Sequence, residues 1–360
     1  MSQASPSKAR IAWPDAARGL AITLVVLHHA IQFTGEAGLA VPAWDALTEF
    51  LRTMRMPLFF MAAGLFAGKW TRAPWRDLFR SKILLFAWVF AIWEVIRWGT
   101  FNLIPRESEE SGILNLVLHF FIWPIGGWFI LVLGIFFIVA RLTARLDRRI
   151  QLAAAAAISI VWFSGFTTGN RAWDGMLLFY VFFVFGCYWR DWVTARAERL
   201  TWWAGAAIVV AWGAAAGVLG IFHLGDAPVL GFALRVLGLA GGVAIALGLQ
   251  RFAWLCGLGT KTLPIYMVHP ILIFAAVSGV LALGGAQWAG VGWWLPPAVG
   301  ALALLASLGI AIAAPRIGAA WLFETPVWLT RLYNRATSRR IQRPSAEAPA
   351  PQAETRSPTR

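Results

Sequence analysis

An arginine and a histidine on one predicted helix carry the first chemical signal of the sequence. Arg18 and His29 lie eleven residues apart within the apolar run WPDAARGLAITLVVLHHAIQF. Eleven residues is close to three helical turns, so both side chains share one face, separated by roughly 16 Å along the axis. A cation and an imidazole would then line one path, and a positioned imidazole can act as a general base. His28 points about 80° away from Arg18 and ranks behind His29.

The same spacing has a purely structural explanation. Arg18 could extend its guanidinium to the membrane surface while the histidines hydrogen-bond to neighbouring helices. Spacing alone does not separate the two interpretations.

Further ionisable side chains fall inside apolar runs, where such groups are costly and are default functional candidates. Glu94 and Arg97 lie three residues apart and could form an ion pair, or Glu94 could orient His29. Arg235 lies about two turns into a later apolar run and requires a partner or a water-filled cavity. Arg55 lies near the end of its run, where it could reach the surface easily.

A late apolar run adds a second histidine candidate. His269 follows Tyr266 and precedes Pro270, so it could assist a substrate site or satisfy backbone groups at a helix break. No metal site is predicted, because the five histidines and two cysteines lack any recognisable ligand spacing.

The composition indicates the environment in which these residues must be held. Hydrophobic residues make up 59% of the 360 residues and charged residues only 13%, with a mean hydropathy of +0.67. Soluble domains carry about 25% charged residues, so this chain lacks the polar surface that water requires. The apolar runs are continuous and approach the roughly 20 residues of a membrane-spanning helix, which favours a helical bundle over the alternating strands of a β-barrel.

The apolar runs predict an all-α integral membrane protein with about ten transmembrane helices. The predicted helices cover residues 13–33, 53–68, 83–101, 113–140, 151–166, 174–189, 202–221, 229–249, 262–284 and 292–315. The fourth helix contains Trp123-Pro124 and Gly126-Gly127, which predict a break or tilt there.

The loops between these helices predict the orientation of the chain. Most of its 31 basic residues fall in alternate loops, and the remaining loops are rich in acids instead. Basic loops stay in the cytoplasm, so both termini are predicted to be cytoplasmic in a multi-pass protein of the inner (plasma) membrane. The net charge of +14 follows from these clusters, which favour contact with the lipid bilayer rather than nucleic acid.

Four segments follow from this pattern. Residues 1–12 form a cytoplasmic N-terminal segment, and residues 13–315 form the transmembrane domain. Residues 316–335 mix aromatic and charged side chains and could lie along the cytoplasmic interface. Residues 336–360 are rich in Pro, Ala, Ser and Arg and are predicted to be a disordered cytoplasmic tail.

Four short stretches, in order, resemble the membrane-bound acyltransferase 3 family. The segment Asp15–His29 has Arg, ten residues and then His, which is similar to the family signature. RMPLFFMAAGLF (Arg55–Phe66), GGWFILVLGIFF (Gly126–Phe137) and GTKTLPIYMVHPILIF (Gly259–Phe274) resemble later family segments. The resemblance covers about residues 11–315, although Ala62-Ala63-Gly64 replaces a common Ser-Gly.

The resemblance implies transfer of an acyl group from cytoplasmic acyl-CoA to a hydroxyl of an extracytoplasmic carbohydrate or glycolipid. The chain looks like the stand-alone ten-helix type, similar to sugar O-acetylases and glucan succinyltransferases, without a fused esterase-like domain. In such a reaction His29 would be the general base and Arg18 would contact the polar part of CoA or steady the thioester. The other candidates, for substrate binding, are Arg55, Glu94, Arg235, Tyr266 and His269.

Acetyl-CoA is favoured over succinyl-CoA only because acetyl transfer is the commoner activity in such a family. The sequence leaves open the acceptor, a covalent acyl-histidine intermediate and the oligomeric state. A transporter or flippase for a lipid-linked sugar is the main alternative, although only one broken helix is predicted. A non-enzymatic scaffold would not require Arg18 and His29 on a shared face.

Overall fold

The computed structural model describes residues 12–103, 113–122 and 126–341, and these residues contain helices and no β-strand. The chain divides into two compact units, Met1–Glu324 and Thr325–Arg360. The α-helices of the first unit are α1 Trp13–Thr34, α2 Pro42–Gly64, α3 Trp75–Leu78, α4 Leu84–Leu103, α5 Ile113–Phe121, α6 Trp128–Leu142, α7 Arg148–Trp162, α8 Arg171–Tyr188, α9 Arg190–Glu198, α10 Trp202–Ile221, α11 Pro228–Leu249, α12 Ala253–Thr260, α13 Thr262–Ala282 and α14 Val291–Ala313. The second unit contains α15, Val327–Ile341.

Some of the predicted transmembrane helices are confirmed by their length and composition. Within the described residues, α1 with its extension to Leu39, α10, α11, α13 and α14 are long and apolar enough to cross a bilayer. The pair α8 and α9, bent by 78°, would make a sixth span. The chain is therefore a multi-pass membrane protein by its helices, while the number ten and the sides of its termini stay predictions.

Several boundaries differ from the sequence prediction. Helix α2 begins at Pro42, eleven residues before the predicted start, because proline is favoured in the first turn and the segment after it remains helical. The predicted helix over 113–140 is two helices, α5 and α6. Of the predicted break, Trp123-Pro124 lie outside the described residues. The predicted start of the tail at residue 336 falls inside α15, and residues 342–360 are not described.

Helix α1 lies at the centre of the first unit. It contacts α2, α11, α12, α13 and α14, and its buried residues belong to the largest apolar cluster. Pro14 in the first turn and Asp15 near the helix N-terminus both favour the start of α1 at this point. A helix surrounded in this way has its polar side chains held by other helices instead of by lipid.

Glycines allow the closest helix contacts. A Cβ atom on Gly64 of α2 would overlap the carbonyl oxygen of Phe183 in α8, and one on Gly186 of α8 would overlap the carbonyl oxygen of Met61 in α2. The two helices therefore approach backbone to backbone, as small residues permit in membrane proteins. This contact fixes α2 against α8, both of which carry residues of the site described below.

The substitution Gly64→Val is expected to destabilise the protein strongly, because the added side chain has to displace α8 backbone. Overpacking of this kind costs about 1–3 kcal/mol. Gly213→Val on α10 is the matched control, since nothing lies within 4 Å of a Cβ at that position. Thermal unfolding of both variants in detergent measures the difference, and equal melting temperatures would show that α2 and α8 are not in close contact.

Candidate active site

A cavity of about 390 Å³ lies beside α1 and is termed here the His29 cavity. It is lined by residues of α1, α2, α6, α7, α8 and α13. Besides His28 and His29, its polar lining comprises Glu49, Arg52, Arg55, Arg171, Asp174 and Tyr266. Two imidazoles and several charged groups therefore face a single cavity.

His29 makes an imidazole–imidazole contact with His269 of α13. The Nε2 atom of His269 lies 3.2 Å from Nδ1 of His29, and the two ring centroids are 5.0 Å apart. Each ring also lies 2.9 Å from the backbone carbonyl four residues before it, Val25 for His29 and Ile265 for His269. His269 is fully buried, whereas His29 is partly exposed to the cavity.

The partners of the two rings define their tautomers. A carbonyl oxygen can only accept, so Nδ1 of His269 carries the proton and its Nε2 accepts. Nδ1 of His29 is then the donor, shared between the Val25 carbonyl and His269. In this neutral form Nε2 of His29 carries the basic lone pair, which is the state that a general base requires.

His28 has the opposite tautomer. Its Nδ1 lies 2.8 Å from the hydroxyl of Thr48, which also accepts from Arg55 at 3.3 Å. Among the described residues the Thr48 hydroxyl contacts no acceptor other than His28 Nδ1, so its proton is assigned to that nitrogen and the ring proton of His28 to Nε2. The two adjacent histidines therefore give the His29 cavity one acceptor and one donor.

A second cavity, of about 270 Å³, contains Arg18 and is termed the Arg18 cavity. Its polar lining comprises Arg18, Lys82, Thr260, Thr262 and Tyr266, and the rest is apolar. Arg18 donates to the carboxylate of Asp15 and lies 4.7 Å from the Phe66 ring centroid. Burial lowers the pKa of Lys82, and the nearby charge of Lys69 lowers it further.

An aromatic partition separates the two cavities. Phe59 and Tyr266 line both of them, and Phe129 lies between these rings. The Phe59 and Phe129 rings stack at 4.5 Å, and the Tyr266 ring lies 5.3 Å from Phe129. The Phe129 N–H donates to the Tyr266 hydroxyl at 3.3 Å, which fixes Tyr266 at the start of α6. Arg18 and His29 thus line different cavities, which share the side chains of Phe59 and Tyr266.

A match to a protein-family model assigns the chain to a family. The family model described as an acyltransferase domain, acyltransferase 3, matches residues 11–314, which is most of the chain. The chain belongs to the acyltransferase 3 family. Neither the curated proteins nor the solved structures contain a match to it.

Glu94 of this acyltransferase forms an ion pair and holds two helices together. Its carboxylate accepts from Arg97 at 2.8 Å and from the N–H of Gly127 at 2.7 Å, with both ionic side chains buried. Gly127 is the N-cap residue immediately before α6, so the Glu94 carboxylate holds the start of α6 against α4. The predicted Glu94–Arg97 pair is confirmed, and Glu94 lines neither the His29 cavity nor the Arg18 cavity.

Arg235 of the acyltransferase also has a partner. Its side chain is only 1% exposed, donates to Asp226 at 3.0 Å and lies 4.4 Å from the Phe163 ring centroid. Asp226 also accepts from Arg52 at 2.9 Å. Burial raises the pKa of the Asp226 carboxyl, but the charges of Arg52 and Arg235 outweigh this effect and lower the pKa overall. Arg235 therefore ties α11 to α2 through Asp226.

The structure thus brings together only part of the predicted residue set. His29, His269, Arg55 and Tyr266 meet at or beside the His29 cavity, and Arg18 meets Tyr266 from the other side. Sequence reasoning missed Thr48, Phe59, Lys82, Arg171 and Asp174, and it placed Arg52 in a loop. The pair Arg52 and Arg55, three residues apart, was the one available signal that α2 presents a charged face. No group of three or more metal-ligating side chains occurs within the described residues.

The opposite tautomers of His28 and His29 are a testable property of the acyltransferase. Ring-¹⁵N NMR of histidine-labelled protein should show His29 protonated at Nδ1 and His28 protonated at Nε2. Thr48→Val removes the hydroxyl proton from His28 Nδ1 and should allow both tautomers of His28, while Thr48→Ser should preserve the original one. Identical spectra for the Val and Ser variants would contradict the role of Thr48.

Proposed function

We propose that this protein is a membrane O-acyltransferase, with acetyl as the favoured acyl group. It takes the acyl group from acyl-CoA in the cytoplasm and transfers it to a hydroxyl of an extracytoplasmic carbohydrate or glycolipid of the cell envelope. The family establishes the acyltransferase class, and the donor, the acceptor and the sides of the membrane belong to the proposal.

The observation that carries this proposal is the pair of cavities that share Phe59 and Tyr266. One cavity contains the cations Arg18 and Lys82, and the other contains His29. In the proposed orientation the Arg18 cavity faces the cytoplasm, because Arg18 and Lys82 lie at the ends of helices flanked by basic loops. An acyl group at the shared wall would be reached by CoA from one side and by the acceptor from the other.

The residues support a direct transfer. Nε2 of His29 removes the proton of the acceptor hydroxyl as its oxygen attacks the thioester carbonyl carbon. The new C–O ester bond forms, the C–S bond breaks, and the imidazolium of His29 returns the proton to the CoA sulfur. His269 accepts from His29 Nδ1 and so stabilises the imidazolium during this cycle. His28 offers an N–H donor to the same cavity, where charge develops on the carbonyl oxygen.

His29→Ala is expected to lower the transfer rate by about 10²–10⁴-fold, the usual contribution of a general base. The measurement follows labelled acetyl from acetyl-CoA into the glycan and glycolipid fraction of membranes with matched protein levels. His223→Asn is the control, because His223 lies in the exposed turn between α10 and α11 with a positive φ that asparagine tolerates.

Equal labelling by wild type and His29→Ala would make His29 a packing residue and would direct attention to His269. Absence of labelled product with acetyl-CoA and with succinyl-CoA would instead favour the transporter alternative.

Lys82→Ala is expected to raise the KM for acetyl-CoA by roughly tenfold with little change in kcat, because charge-assisted bonds to phosphate are lost. S-acetylpantetheine, which lacks those phosphates, is the matched donor, and its KM should not respond to the substitution. A similar rise in KM for both donors would place Lys82 away from the phosphates.

A further inference from the structure

Arg55 stands out among the buried arginines by its lack of an acidic partner. It is 5% exposed, and Nη1 donates to Thr48 at 3.3 Å. Its Nε atom has no hydrogen-bond partner, and no carboxylate among the described residues lies within ion-pair distance of the guanidinium. A buried cation without a counter-ion is costly, so a site of this kind favours an anionic ligand.

The neighbouring acids are already engaged. Glu49 accepts from Arg52, and Asp226 accepts from both Arg52 and Arg235. The remaining acid on the cavity wall, Asp174, accepts from the hydroxyl of Thr167 at 2.7 Å and from the backbone and hydroxyl of Thr168. None of these carboxylates lies within ion-pair distance of the Arg55 guanidinium.

Arg55 also has a suitable position for substrate binding. It lines the His29 cavity and not the Arg18 cavity, and the exposed Arg171 lines the same space. The cavity volume of about 390 Å³ is within the range of small-ligand sites. A guanidinium presents a planar fork of donors that matches a carboxylate or a phosphate.

We propose that Arg55 binds an anionic group, a carboxylate or a phosphate, on the acceptor sugar. This inference rests on the proposed function, in which the acceptor enters the His29 cavity. The acceptor is favoured over the acyl donor as the source of the anion, because Arg55 and Arg171 both lie on the acceptor side of the aromatic partition. The acceptor is therefore an acidic sugar or a phosphate-bearing glycan, held with its hydroxyl near His29.

A direct binding experiment tests this inference independently of catalysis. Purified protein in detergent is titrated calorimetrically with methyl glucuronide, with glucose 6-phosphate and with neutral methyl glucoside. At least one anionic sugar is expected to bind roughly tenfold or more tightly than methyl glucoside, and Arg55→Gln should abolish that difference. Absence of a preference for either anionic sugar in the wild type overturns the proposal.

The stability of the unliganded variants separates binding from structure. Arg55→Gln removes an unpaired buried charge, so its melting temperature should equal or exceed that of the wild type. Arg52→Gln is the matched control three residues earlier, and it should lower the melting temperature because Glu49 loses its partner and Asp226 loses one of its two. A marked loss of stability in Arg55→Gln would make Arg55 a structural residue and overturn the proposal.

Kinetics with two donors and two acceptors locate the anion. With acetyl-CoA, Arg55→Gln should raise the KM for the preferred anionic sugar by about tenfold or more and leave the KM for methyl glucoside unchanged. An equal fall in kcat for both acceptors would indicate a role at the thioester carbonyl, which overturns the proposal. A loss of activity seen only with succinyl-CoA would place the anion on the acyl group, which would also overturn the proposal. Anion binding without any transfer would refute the proposed function alone.

Discussion

The hydrogen bond between His29 and His269 joins two helices that lie 240 residues apart in the sequence, and the geometry of the site depends on it. His29 is on α1, which contacts five other helices, and His269 is on α13, one turn after Tyr266. The same contact therefore sets the tautomer of the proposed base and the position of the aromatic partition. A shift of α13 along α1 would change both together.

Charge neutralisation distinguishes the structural arginines Arg97 and Arg235 from Arg55. An ionised side chain in an apolar environment requires a partner, because desolvation is otherwise uncompensated. Arg97 forms an ion pair with Glu94, and Arg235 forms one with Asp226. Both pairs hold helices together. Arg55 lies in the same bundle, and no carboxylate among the described residues lies within ion-pair distance of it.

Sequence reasoning predicted the features that depend on local periodicity. The helix of Arg18 and His29, the Glu94–Arg97 pair and the membrane character of the chain all follow from spacings of a few residues. The contact of His29 with His269 does not, because no pattern in either helix indicates how α1 and α13 align. The aromatic partition was missed for a similar reason, since Phe59 and Phe129 resemble ordinary core residues until the cavities on either side are known. Asp226 lies between two predicted helices, and its role as counter-ion to Arg235 depends on the fold.

The aromatic partition has a consequence for the energy supply of the cell. In the proposed orientation, the two cavities would open to opposite faces of the membrane, with Phe59, Phe129 and Tyr266 at the wall between them. A water chain across this layer, next to an imidazole that exchanges protons, would conduct protons down the electrochemical gradient. In the proposed reaction the packed rings would act as electrical insulation, and the acyl group would cross the membrane without opening a path for the ions that power the cell.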